Sequence, residues 1–119
     1  MRDHKKLKVF QLADRLALRI YASTRAFPRE ERFGLTSQLR RAAVSVGANI
    51  VEAASRRSAA DYARILGIAY GSARELEYEL SIAARLGYLN PKDADELLDL
   101  ADQAGRALRA LVIAVQPRA

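Results

Sequence analysis

Residues 35–55 read LTSQLRRAAVSVGANIVEAAS, and the secondary structure of this stretch decides the fold. Its apolar residues recur at three- and four-residue spacing and form one helical stripe: Leu35, Leu39, Ala42, Ala43, Val46, Ile50 and Ala53. The segment 44–50 also alternates apolar and polar residues, as a half-buried β-strand would. We favour a helix because the stretch is long and Ala-rich, and because the stripe stays in phase on both sides of that segment.

Apolar stripes of the same spacing predict three further helices. They occupy about residues 7–26, 59–86 and 91–115, on either side of helix 2 at 35–55. Short connections between helices favour antiparallel neighbours. The expected fold is therefore all-α, an antiparallel up-down-up-down four-helix bundle that forms a single domain over residues 1–119.

Local signals at the predicted helix ends agree with these stripes. Pro28 ends the first helix, because the residue before a proline is pushed out of the helical region. Ser58 is a candidate N-cap for the third helix, and Gly87 supplies its C-terminal stop. Asn90 and Pro91 open the fourth helix as its cap and its first helical residue.

The composition limits the chemistry and the compartment. The chain has no Cys, which excludes disulfides, thiolate metal sites and a Cys nucleophile and fits a cytoplasmic protein. The charged N-terminal stretch 1–20 never reaches an uninterrupted apolar run. We therefore expect neither a signal peptide nor a membrane span.

Helix 2 is unusually apolar for a helix at the surface of a bundle. Between Ala42 and Ala54, the only residues outside the apolar class are Ser45, Gly47, Asn49 and Glu52. Such a helix is buried on more than one side, which predicts a second contact surface and, most simply, a homo-oligomer. The alternative is that Ala is small and common on exposed helical faces.

Gly67 and Gly71 lie four residues apart on one face of helix 3. Each costs about 1 kcal/mol relative to Ala in a helix interior. We interpret them as a tight helix crossing, within the bundle or between subunits, with chance placement as the alternative.

A polar stripe on helix 2 contains Ser45, Asn49, Glu52 and Arg56. One interpretation is a groove for a ligand or a partner. We favour the other, a hydrogen-bonded seam or interface with polar residues of helix 3, namely Arg74, Glu75 and Glu77, because buried polar groups need partners.

The net charge of +6 is unevenly distributed. Residues 1–57 carry 13 Lys and Arg against 5 Asp and Glu, whereas residues 58–119 carry 7 against 9. The candidates for phosphate contact are Lys5, Lys6, Lys8, Arg40, Arg41, Arg56 and Arg57. Few aromatic residues and no known recognition motif accompany them, so binding of RNA or DNA would be electrostatic and indifferent to sequence. The alternative, which we weigh equally, is that these arginines pair with acidic residues of 58–119 across a subunit interface.

No catalytic constellation is recognisable in the sequence. The only histidine is His4, so the Glu-x-x-His pairs of di-iron bundles and a Ser/His/Asp triad are both absent. There is also no phosphate-binding P-loop and no GxGxxG motif. We expect a protein without enzymatic activity, cofactor or metal.

Three stretches together resemble a known family: LKVFQLADRLA (7–17), FPREERFGLTSQLRRAAVSVGANIVEAASRRS (27–58) and GSARELEYELSIAARLGYL (71–89). The family is that of bacterial four-helix-bundle proteins encoded in intervening sequences of 23S ribosomal RNA genes, also called the S23 ribosomal protein family. The positions that match are Leu39, Arg40, Arg41, Ala42, Asn49, Glu52, Arg57, Glu75 and Glu77. Two departures concern helix 2. Gly47 stands where the family often has Pro, which weakens the expectation of a kink, and Ala53-Ala54 replaces a usual Gly, which favours a longer helix.

The resemblance implies a homopentamer and carries over no catalytic residue. It also implies kinship with accessory proteins of diversity-generating retroelements, which are basic pentameric barrels that bind a reverse transcriptase and nucleic acid. Two functions follow as hypotheses. One is a homo-oligomeric scaffold that binds nucleic acid, alone or within a ribonucleoprotein, and the other is a purely protein-binding or structural oligomer.

Overall fold

Four α-helices make up most of the protein in a computed structural model that describes residues 2–117. They are α1 (Lys8–Thr24), α2 (Leu35–Ala54), α3 (Ala59–Arg85) and α4 (Pro91–Val115). Single 3-10 turns occur at His4–Lys6 and Arg29–Glu31. None of the residues 2–117 lies in a β-strand, so the all-α prediction is confirmed and the strand alternative for helix 2 is wrong.

The burial pattern of α2 explains why its apolar and polar alternation does not produce a strand. Val46 and Ile50 are fully buried, whereas Val44, which belongs to the same alternation, is 47% exposed. A strand would place all three on one face, and a helix separates Val44 from the other two. The helix runs without interruption through Gly47 and ends at Ala54.

Helix α1 ends two residues before its predicted end. The Thr24 hydroxyl donates to the carbonyl of Ile20 at 2.7 Å, and beyond Thr24 the chain turns so that Phe27 is buried in the core. Pro28 then adopts an extended ψ of 141° and begins the connection to α2. The helix therefore ends before the proline, because the turn after Thr24 allows the Phe27 side chain to be buried in the core.

Side chains and a glycine close three further helix ends, namely both ends of α3 and the start of α4. The Ser58 hydroxyl accepts a hydrogen bond from the backbone N–H of Asp61 at 3.0 Å, and the Asn90 side-chain oxygen accepts one from the backbone N–H of Asp93 at 2.8 Å. Gly87 has a φ of +79° and ends α3. These caps satisfy backbone groups that have no partner within their own helix.

Each helix packs against two others around a core that consists of two clusters of buried side chains. Helices α1 and α3 each lie beside α2 and α4. The largest fully buried side chains come from all four helices: Leu16, Ile20, Leu39, Val46, Ile50, Ile65, Leu66, Leu76, Leu80, Leu97 and Leu108. Burying each such side chain stabilises the fold by roughly 1.5–3 kcal/mol. Among the described residues, no helix combines the length and apolar character required to cross a membrane.

Candidate nucleic-acid interface

The N-terminal arm lies against the C-terminal end of α2. The backbone N–H of Arg2 donates to the carbonyl of Ala54 at 3.2 Å, and its guanidinium donates to the carbonyl of Arg56 at 3.0 Å. The same guanidinium lies 3.9 Å from the centroid of the Tyr62 ring. These contacts bring the basic arm next to Arg56 and Arg57, from which it is distant in sequence.

The cations gathered at this end form the arm patch, which comprises Arg2, Lys5, Lys6, Lys8, Arg56 and Arg57. Arg56 is engaged by Glu52 in an ion pair of 2.6 Å. The three lysines and Arg57 are exposed and form no ion pair with another residue of the range 2–117. A cavity of about 630 Å³ opens between Arg2 and Arg57. Arg2, Arg56 and Arg57 line this cavity, and the lysines add exposed positive charge in the N-terminal residues that follow Arg2.

Arg40 and Arg41 are neighbours in sequence but point to different helices. Arg40 is partly buried, its Nε donates to the Thr24 hydroxyl at 2.9 Å, and its guanidinium lies 4.6 Å from the centroid of the Tyr21 ring. Arg41 is exposed and lines a groove of about 490 Å³ between α2 and α3, which Glu75 also lines. The structure thus does not bring this pair together as a single cationic site.

The polar stripe of α2 makes a seam with α3 through a residue that the sequence did not single out. The hydroxyls of Ser45 and Ser72 lie 2.9 Å apart. The amide nitrogen of Asn49 donates to the backbone carbonyl of Ser45 at 2.8 Å and to the Ser45 hydroxyl at 3.0 Å. Ser72 lies on the same helix face as Glu75, which lines the adjoining groove. A serine three residues before Glu75 is the only sequence signal that points to this contact.

The other members of the expected seam lie elsewhere. Arg74 and Glu77 pair with each other at 3.5 Å, and both side chains approach Gly105 of α4. Glu52 pairs with Arg56 within α2. Only the part of the seam near Ser45 and Glu75 therefore joins α2 to α3.

Gly67 and Gly71 do not lie at a tight crossing within the chain. A Cβ atom added at either position would meet no atom within 4 Å, so the intramolecular form of that prediction is wrong. The close approach occurs instead at Gly105, where an added Cβ would lie 3.4 Å from Oε1 of Glu77. Gly105 is buried in α4 where that helix faces α3. No second glycine lies near it in α4, so the sequence does not indicate this close approach.

A second group of cations surrounds the connection between α1 and α2. Arg25, Arg29, Arg32 and Arg40 line a cavity of about 280 Å³. Of these four, only Arg40 is among the candidates that the sequence suggests. The run RAFPREERF at 25–33 carries the signal, because three arginines flank a proline turn there, but its two glutamates make the net charge unremarkable.

Among the described residues, one carboxyl group is buried, and it belongs to Glu79 of α3. Glu79 is 5% exposed, and its Oε1 has no hydrogen-bond partner among the described residues. Burial raises the pKa of Glu79 from 4.5 to about 7, and the negative charge of Glu75 and hydrogen bonding with it also act to raise the pKa. Residues 2–117 contain no group of three or more His, Cys, Asp or Glu residues placed to hold a metal ion.

Comparisons with known proteins identify the family. The structure resembles that of a protein of unknown function from the S23 ribosomal protein family of Bacteroides thetaiotaomicron, with a TM-score of 0.80 and 26% sequence identity over 88% of this chain and 95% of that one. A search of the curated proteins found no match. The family model described as the 23S rRNA-intervening sequence protein matches residues 5–110. The chain therefore belongs to the family of 23S rRNA-intervening sequence proteins, as its resemblance predicted.

Proposed function

We propose that this protein is a non-enzymatic, cytoplasmic homo-oligomeric scaffold whose basic surface binds RNA or DNA, largely through phosphates. The observation that carries the proposal is the arm patch. Arg2, Arg56 and Arg57 line one cavity, although Arg2 is distant from the other two in the chain. The three lysines follow Arg2 in the N-terminal residues, and they and Arg57 are exposed and unpaired among the described residues. A nucleic-acid backbone supplies the dense negative charge that such a surface needs.

The proposed binding mode is electrostatic. Lysine ammonium groups on their long side chains contact phosphates as point charges and do not select a base. Each neutralised phosphate releases condensed counterions, so the affinity falls steeply as the salt concentration rises. Binding within a ribonucleoprotein is compatible with this mode, because the arm patch occupies only one end of the subunit.

The assembly is part of the proposal. We infer that consecutive helices are antiparallel, because the connections between them are short and the helices are long neighbours. Val44 and Val51 are 47% and 40% exposed on α2, and Ile68 is 48% exposed on α3. Self-association would cover these side chains and the small residues Gly67 and Gly71, and the family resemblance makes a pentamer the expected state.

A salt titration tests the nucleic-acid proposal. Fluorescence anisotropy with a labelled RNA hairpin is expected to give a binding constant whose logarithm falls linearly with the logarithm of salt concentration. Changing Lys5, Lys6 and Lys8 together to Gln should weaken binding and reduce the slope by about 1 for each phosphate that is no longer neutralised. Changing Arg85, Lys92 and Arg109 together to Gln, which removes three exposed cations of α3 and α4, is the matched control. No binding by the wild-type protein at low salt, or an equal effect of the control, would contradict the proposal.

The alternative is an oligomer that binds only protein, for example as an accessory subunit of a reverse transcriptase. The exposed Val44 and Val51 favour it, because apolar side chains on a bundle surface suit a protein interface better than a polynucleotide. In that case Arg41, which is exposed, pairs with acidic residues of a neighbouring subunit. Arg41→Glu should then lower the native mass measured by light scattering. An unchanged mass combined with weaker RNA binding favours the nucleic-acid scaffold instead.

A further inference from the structure

The connection between α1 and α2 builds a second cationic site, at the opposite end of α2 from the arm patch. We call it the connection pocket; it has a volume of about 280 Å³ and is lined by Arg25, Arg29, Arg32, Arg40, Thr24 and Thr36. Helix α2 has 20 residues, so roughly 30 Å separates the two sites along its axis. The connection pocket is therefore a separate site from the arm patch.

The charge of the connection pocket is not neutralised within the chain. Arg25, Arg29 and Arg32 line it and form no ion pair with any described residue. Arg40 is fixed by the Thr24 hydroxyl, which is a neutral partner. Four guanidinium groups around one small cavity repel one another unless an anion lies between them.

The nearest carboxylates do not supply that anion. Both oxygens of Glu31 are engaged away from the pocket: Oε1 accepts the backbone N–H of Leu35 at 3.1 Å and Oε2 accepts the Tyr88 hydroxyl at 2.9 Å. Glu30 is exposed and does not line the cavity. The pocket thus keeps four cationic side chains and two threonines as its polar lining, a set that suits the oxygens of a phosphate group.

Two aromatic rings lie against arginines of the connection pocket. The ring of Phe33 is 88% exposed, and the Arg32 guanidinium lies 5.2 Å from its centroid. The ring of Tyr21 is 41% exposed, and the Arg40 guanidinium lies 4.6 Å from its centroid. An aromatic ring as exposed as that of Phe33 contributes nothing to the core. Its neighbour Phe27 fills that role, since it is buried and packs on Tyr88 at a centroid distance of 5.4 Å.

We propose that the connection pocket binds single-stranded nucleic acid, with a phosphate among the four arginines and bases stacked on Phe33 and Tyr21. The proposal rests on the nucleic-acid function inferred above and specifies the form of the partner. Cationic groups that follow the backbone, combined with aromatic rings that receive bases, are the features by which proteins bind single strands. Bases in a duplex are already stacked on one another and are not available to a ring that projects from a protein surface.

A comparison of strand forms tests this inference. The probes are a labelled dT strand of about 15 nucleotides, within the range of single-strand site sizes, and the same strand annealed to dA. Phe33→Leu keeps an apolar side chain but removes the ring, and it should weaken single-strand binding about five- to tenfold while changing duplex binding less than about twofold. Phe33→Tyr should retain the affinity, because the ring is kept. Tyr78→Leu, which removes a ring of α3 that is 65% exposed and lies outside the pocket, is the matched control.

The arginines are tested separately from the ring. Changing Arg29 and Arg32 together to Gln should reduce the salt dependence of single-strand binding by about 0.7 for each phosphate that is no longer neutralised. The inference is overturned, with the nucleic-acid function intact, if the wild-type protein binds the strand and the duplex equally well and Phe33→Leu changes neither. A protein that binds no nucleic acid at all overturns both. If Phe33→Leu lowers the native mass and leaves single-strand binding unchanged, the ring belongs to a subunit interface and the inference is also wrong.

Discussion

The Tyr88 hydroxyl donates a hydrogen bond of 2.9 Å to the carboxylate of Glu31, 57 residues away in the chain. This hydrogen bond raises the pKa of Tyr88, because the hydroxyl loses its favourable interaction with the carboxylate when it ionises. The other oxygen of Glu31 accepts the N–H of Leu35 at the start of α2. One side chain therefore caps α2 and holds the arginine-bearing connection against the turn between α3 and α4.

Gly34 is the residue that leaves room for this carboxylate. A Cβ added at Gly34 would lie 2.8 Å from Oε1 of Glu31, so Gly34→Ala must displace the oxygen that caps Leu35. We expect a loss of about 1 kcal/mol in the free energy of unfolding, the usual contribution of a helix cap. Urea denaturation of Gly34→Ala, Glu31→Ala and the double variant measures the coupling. If the losses of the two single variants simply add in the double variant, the clash with Glu31 does not cause the destabilisation by Gly34→Ala.

Gly87, in the turn between α3 and α4, should tolerate substitution poorly. It has a φ of +79°, and the N–H groups of Gly87 and Tyr88 donate to the carbonyls of Ala84 and Ala83, each at 3.0 Å. These are the two bonds of a Schellman motif. Because an L-residue in this conformation costs roughly 1–2 kcal/mol, Gly87→Ala should lower the unfolding free energy by that amount in thermal or urea denaturation.

The same substitution at a helical glycine provides the control. Gly71→Ala introduces a Cβ that meets nothing within 4 Å, and it should stabilise an isolated subunit by up to about 1 kcal/mol. A loss of native mass in Gly71→Ala would instead place that glycine at a subunit contact. Equal destabilisation by both changes would contradict the role assigned to the φ of Gly87.

The buried Glu79 predicts that stability falls as the pH rises. Its pKa is about 7 in the folded protein and near 4.5 in the unfolded chain. Below pH 4.5 both states hold the proton, whereas between these values the unfolded state releases it first and unfolding is favoured. Above pH 7 the burial of the charge should cost at most about 3 kcal/mol.

The variant Glu79→Gln isolates this effect from that of the other carboxyl groups. Relative to the wild type, its unfolding free energy should increase between about pH 4.5 and about pH 8, as measured by urea denaturation at constant salt. Glu75→Gln removes the neighbouring negative charge and should lower the pKa of Glu79. The two unfolding free energies should differ more at about pH 8 than at pH 4.5. An equal difference at both pH values would contradict the raised pKa of Glu79.

Glu30 should oppose anion binding at the connection pocket. It is an exposed carboxylate next to Arg29, so its negative charge repels an incoming phosphate. Glu30→Gln should therefore tighten binding of the dT strand about twofold to threefold at low salt and have little effect at high salt. Asp95→Asn, an equivalent neutralisation of a carboxylate on α4, should change the affinity less. Equal tightening by both variants would mean that only the net charge matters.

Local sequence signals were sufficient for the number and order of the helices and for several of their ends. The predicted caps at Ser58 and Asn90 and the stop at Gly87 are present because each depends on atoms only a few residues away. The predicted α1 is too long, since the need to bury Phe27 is a tertiary effect and ends the helix at Thr24. The polar seam joins α2 to α3 through Ser45, which the sequence pointed to, and Ser72, which it did not. The residue opposite Ser45 could not be predicted, because the pattern within one helix does not determine how two helices align.

The sequence by itself determined four amphipathic helices and a basic first half, because helical periodicity and charge are properties of consecutive residues. Only the tertiary structure decided which cations act together. It separates Arg40 from Arg41, since adjacent residues on a helix point about 100° apart and pack on different neighbours. It also joins Arg2 to Arg56 and turns Glu31 towards Tyr88, which leaves the arginines of the connection pocket unneutralised. These arrangements depend on contacts between residues far apart in the chain, and packing of the helices around the shared core creates them.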